Sequence, residues 1–107
     1  MKHIAKIQSE IASLEYKSFD DCVELRLYLL SLMREFVRQY QQTNDKQKAR
    51  QLARIFREVE NLYKSFTAIT EEKGRNYKAQ FEFAKQLVAD QVERLEPMMQ
   101  ATTMAVA

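Results

Sequence analysis

An all-α fold is what three features of this sequence predict: an antiparallel four-helix bundle with a short first helix and three longer ones. Helix breakers are almost missing, with one Gly and one Pro in 107 residues, against the usual ~7% and ~5%. Strong helix formers (Ala, Leu, Glu, Gln, Lys and Arg) fill the chain. Four stretches also repeat apolar residues every three or four positions, with short polar breaks between them. A chain of this length forms one domain that buries about two thirds of its unfolded surface. The bundle is expected over residues 1–96, followed by an uncharged tail over 97–107.

The first helix is predicted over residues 2–16. Ile4, Ile7, Ile11 and Leu14 recur at spacings of three, four and three, a narrow stripe of coiled-coil type. Four turns are too few for a stable isolated helix, so this one must lean on a neighbour. His3 stands one residue ahead of the stripe and is expected to face solvent. Ser18, Phe19, Asp20 and Asp21 then read as a helix start. Ser18 can cap the amide of Asp21, and both carboxylates favour the positive end of a helix dipole.

The second helix, residues 19–42, is the hub of the chain. Leu25, Leu29, Leu32 and Phe36 form one flank; Val23, Leu27, Leu30 and Val37 form the other; Cys22, Met33 and Tyr40 lie between. The apolar arc covers roughly 220° of the circumference, against ~100° or more for an ordinary surface helix. So wide an arc must be covered from several sides, within a bundle or by a partner. Leu25, Leu32 and Phe36 are the expected partner contacts on this helix. Arg26 interrupts the arc and either snorkels to water or pairs with a carboxylate of another helix.

Thr43, Asn44 and Asp45 mark the next break, with Asn44 or Asp45 as cap; a continuous helix through this point is the alternative. The third helix, residues 46–73, is cleanly amphipathic. Leu52, Ile55, Phe56, Val59, Leu62, Tyr63, Phe66 and Ile69 lie within an arc of roughly 160°. On its opposite face Lys46, Arg50, Arg54, Arg57 and Lys64 form a basic stripe about 27 Å long. Residues 43–64 hold six basic and three acidic side chains, more net charge than the +2 of the whole chain. Lys46, Lys48 and Arg50 would also oppose the dipole of a helix that starts at residue 46.

Gly74 suits the left-handed position after a helix, and Asn76 can cap the fourth helix, residues 77–96. Tyr77, Phe81, Ala84, Leu87, Val88, Val92 and Leu95 share one face of it, while Phe83 projects off that face as a candidate anchor for a partner. Pro97 is expected to end or kink the helix.

Little in the sequence carries chemistry. One His and one Cys cannot build a structural zinc site, no Glu-x-x-His pair suggests di-iron, and a nucleophile–base pair would have to use His3. No catalytic residue, metal or cofactor is expected. The lone Cys22 excludes a disulfide within the chain, no apolar run approaches ~20 residues, and a cytoplasmic location is the default. The expected function is a non-enzymatic interaction module (an adaptor, chaperone or regulatory subunit), binding another protein or its own copy. The alternative is a nucleic-acid-binding bundle that tracks phosphates with the basic stripe.

Overall fold

The computed structural model describes the backbone of residues 2–72 and 74–106, and the side chains among them from residue 3 to 95. It is all-helical there: α1 (Lys2–Ser13), α2 (Phe19–Gln42), α3 (Lys46–Ala68) and α4 (Lys78–Val106). Each helix packs on the next in sequence, and α4 returns to α1, so the four close a ring around one core. The α2·α3 pair is the most extensive. The start of α2 (Phe19, Cys22) shares a cleft with the end of α3 (Phe66, Ile69). The end of α2 (Val37, Tyr40) shares another with Leu52 and Phe56 of α3.

The core follows the predicted stripes. Ile4 and Ile11 of α1 meet Leu25, Leu29, Leu32 and Phe36 of α2; Leu52, Ile55, Val59, Leu62 and Phe66 of α3; and Phe81, Ala84, Val88, Val92 and Leu95 of α4. No polar or charged residue is buried among those described.

Local signals set the helix starts. Asp21 accepts from the Lys17 and Ser18 N–H groups (2.6 and 2.8 Å), so the carboxylate secures the entry to α2. These two backbone bonds hold its carboxyl below the usual carboxylate range. Asp45 accepts from the Gln47 and Lys48 N–H groups (2.9 and 3.2 Å), and Thr43–Asn44–Asp45 is therefore a true break rather than continuous helix. Asn76 accepts from the Lys78 N–H (2.8 Å) at the head of α4.

Three boundaries differ from expectation. α1 stops at Ser13, whose hydroxyl turns back to the Glu10 carbonyl (2.7 Å). α3 ends at Ala68, five residues early. The β-branched Thr67, Ile69 and Thr70 weaken the helix here; Ile69 goes extended and packs half-buried on the core. Gly74 accordingly does not follow a helix directly, although it holds the left-handed φ of +82° in the middle of the connection. Nor does α4 stop at Pro97; its backbone runs on to Val106. The tail predicted over residues 97–107 otherwise lies outside the described side chains.

An aromatic and polar clamp ties the α1–α2 turn to the head of α4. The Tyr16 hydroxyl accepts from the Tyr77 N–H (3.2 Å), and the Tyr77 hydroxyl donates to the Thr70 carbonyl (2.6 Å). Tyr16 tilts against Phe81, and Phe19 meets Tyr77 edge-on, at 5.7 and 5.4 Å between ring centres. The Lys85 ammonium donates to the Leu14 carbonyl (2.6 Å), placing a cation at the C-terminal end of α1 where the helix dipole favours it.

Two predictions follow from burial and from capping. Leu29 is fully enclosed, so Leu29→Ala should cost about 2–5 kcal/mol. Phe56 is only half-buried, and Phe56→Ala should cost less than Leu29→Ala when both are measured by urea denaturation. Because Asp21 has a lowered pKa, its charge stabilises the fold fully above the ordinary carboxylate range. That contribution is lost as pH falls through the lowered value. The melting-temperature gap between the native chain and Asp21→Asn should therefore be widest near neutral pH and narrow as the pH falls below the ordinary carboxylate range.

Candidate functional site

The two apolar flanks of α2 have different fates. Leu25 and Leu32 are sealed in the core, and Phe36 is 1% exposed. These three expected partner contacts are thus internal packing residues, because α1 and α3 close over their flank. The opposite flank faces outward: Leu27 is 57% and Val37 41% exposed, with Val23 and Leu30 half-buried. A sequence signal for this choice existed. Arg34 and Arg38 project beside Leu27, Leu30 and Val37, whereas no charge lies within the buried flank.

Where α2 ends, this outward flank opens into a groove against α3. Val37, Tyr40 and Gln41 form one wall, Ala53, Phe56, Arg57 and Glu60 the other, and Phe36 and Leu52 show at its floor. Its volume is about 360 Å³, and Tyr40 at its mouth is 50% exposed. α1 packs on the inward flank of α2 and contributes no residue to this groove. Val37 and Tyr40 are the site residues that the sequence reading did not single out.

The predicted basic stripe is on the surface throughout: Lys46, Arg50, Arg54, Arg57 and Lys64 are all exposed. Arg57 belongs to both features, as a cation of the stripe and as a wall of the groove. Lys64 lies 3.7 Å from Glu60 one turn earlier, an exposed pair of little energetic weight. Since α3 begins at Lys46, its first turn carries cations and no acid, against the preference of the dipole. On the far side of the stripe, between α3 and α4, a second cleft of about 290 Å³ is lined by Leu62, Phe66, Ile69 and Phe83. Phe83 is 62% exposed. The cations of α3 therefore form a ridge between two apolar clefts.

Reactive groups are not gathered at either cleft. His3 is exposed on the first turn of α1, and Cys22 is 3% exposed in the core. Burial pushes the Cys22 thiol pKa up, and the neighbouring Asp21 charge adds to the shift. Among the described residues no three His, Cys, Asp or Glu side chains cluster as a metal site, and no helix is long and apolar enough to cross a membrane. Arg26 is half-buried in the cleft at the start of α2, beside Glu71.

Comparison of the chain with protein families, with curated proteins and with solved structures finds no match in any of the three.

Cys22 should react with a disulfide reagent such as DTNB far more slowly in the native chain than in urea, since both access and thiolate are suppressed. Equal rates in the two conditions would place the thiol outside the core.

Proposed function

We propose that this chain is a non-enzymatic protein-interaction module, of the adaptor, chaperone or regulatory kind, acting in the cytoplasm. One observation carries the reading: an apolar groove with exposed Val37 and Tyr40, open on the outer face of the α2·α3 pair. Exposed apolar surface gathered into one groove marks a recognition site more often than scattered exposed residues do. The clefts that join the start of each helix of the pair to the end of the other support an antiparallel arrangement, which makes the groove a straight trough. Phe83 and its cleft are a second anchoring point for a partner large enough to cross the ridge.

A second reading, nucleic-acid binding, has its own support in the exposed ridge of five cations. Phosphate recognition needs only charge and spacing. The aromatics Phe56 and Tyr63 pack against the core rather than interleaving with the cations, so base stacking gains nothing here.

The two readings separate in a capture experiment on immobilised chain. A protein partner should be retained after nuclease treatment and should be lost with Val37→Asp. Nucleic acid held by five cations should weaken several-hundred-fold between about 50 and 200 mM salt and disappear with Arg50→Glu/Arg54→Glu. Salt-sensitive binding of a labelled oligonucleotide, together with a capture profile that Val37→Asp leaves unchanged, would overturn the first reading.

A further inference from the structure

From the seam between α2 and α3 we infer the class of partner: an amphipathic helix with acidic flanks, supplied by a different protein. This rests on the interaction-module reading and specifies the occupant of its groove. Of the outward apolar residues of α2, Val23, Leu30 and Val37 stand seven apart on the side toward α3, with Leu27 further round; on α3 Ala49, Phe56 and Tyr63 are also seven apart. A seven-residue step drifts only ~20° around a helix, so each row keeps to one face along its length. The end of α2 lies beside Phe56 and its start beside Phe66 and Ile69, so the two rows run together from Leu30 and Tyr63 to Val37 and Phe56, about 10 Å, which with a turn at each end seats a helix of about 15 residues. None of the six is fully buried: Val37 is exposed and lines the groove with Phe56, and the other four are half-buried, so the seam keeps apolar area within reach of a partner. Two parallel apolar rows with a trough between them have the shape that receives the a/d stripe of a third helix.

Charge selects the partner. Residues 34–64 hold eight basic and four acidic side chains. Arg34 stands on the α2 side of the trough, Arg57 and the rest of the ridge on the α3 side. Glu35 is engaged with Arg38 (2.9 Å), and Glu60, the one carboxylate lining the groove, stands between Arg57 on the same wall and Lys64 at 3.7 Å. Among the described residues no carboxylate lies within ion-pair distance of Arg34, Lys46, Arg50, Arg54 or Arg57. A helix with Glu or Asp beside its apolar stripe would meet cations on both rims. A second copy of this chain would bring the same cations against them, since a two-fold contact pairs a surface with itself. The occupant is therefore acidic and foreign.

The test uses the full chain and two labelled peptides of about 21 residues, three heptads each. Both carry Leu at a and d; one carries Glu at the flanking positions, the other Lys. Fluorescence anisotropy at about 150 mM salt, where distant charges are screened, should show binding of the Glu peptide and not of the Lys peptide. Val37→Asn should weaken the Glu peptide about tenfold. Arg34→Glu/Arg57→Glu should weaken it further and admit the Lys peptide. Absence of Glu-peptide binding, equal binding of both peptides, or indifference to both variants would overturn the inference. Light scattering supplies the remaining arm. A dimer that survives a hundredfold dilution and is dissociated by Val37→Asn would mean that a second copy fills the trough. The inference would then fall while the interaction-module reading stood. Binding of a labelled 20-mer oligonucleotide that competes off the Glu peptide and needs Arg50 and Arg54 would instead remove the reading itself.

Discussion

A helix apolar over some 220° of its circumference, with only α1 and α3 packed substantially against it, dominates this molecule. Two neighbours cover the inward flank of α2 and leave the outward one partly in water. Everything of interest on the surface follows from that shortfall. α3 covers Leu25, Leu29, Leu32 and Phe36 with its own core face, so it must present its polar side outward next to the uncovered flank. The cations of α3 therefore stand beside Val37 and Tyr40, and an apolar trough acquires a charged bank. The chain does not spend its single cysteine or histidine on this face. What this face offers is shape, apolar area and charge.

The opposite end of the bundle is built differently. There Tyr16, Phe19, Tyr77, Phe81 and Lys85 converge with rings and hydrogen bonds, and the α1–α2 turn is fastened to the head of α4. This end is closed, whereas the end holding Val37 and Tyr40 is open. α1 alone is too short to be a stable helix, and it holds its place through Ile4 and Ile11 in the core and through the Lys85 bond to its last turn. The bundle thus has a fastened end and a receptive end.

Much of the fold was legible in the sequence. Stripes at Ile4–Ile11, Leu52–Phe66 and Phe81–Leu95 predicted the core faces, and Ser18 with Asp21, Asn44 or Asp45, and Asn76 predicted the helix starts, because periodicity and capping are local properties. The end of α3 was not legible. Ile69 continues the apolar spacing of the helix, and that periodicity masks the weaker signal of the β-branched Thr67, Ile69 and Thr70, where the backbone turns extended. The choice between the two flanks of α2 was also missed. Leu25, Leu32 and Phe36 read as partner contacts because both flanks satisfy a helical period, and the neighbouring helices decide which is buried. Arg34 and Arg38 carried the missing information, since a flank interleaved with arginine is a poor candidate for the interior. The basic ridge was fully legible; its adjoining groove was not, as it is formed by two segments that meet only on folding.

The Lys85–Leu14 bond joins residues 71 apart in sequence, and Tyr77–Tyr16 joins residues 61 apart. The α2·α3 pair, by contrast, closes through a break of three residues. Loop-closure entropy makes that pair an early, local unit of assembly and the fastening of α4 onto the α1–α2 turn a late one. α1, with 12 residues the shortest of the four helices, is held by Ile4, Ile11 and the Lys85 bond. Its release would bare Leu25 and Leu29 to water while the α2·α3 pair and its groove remained assembled.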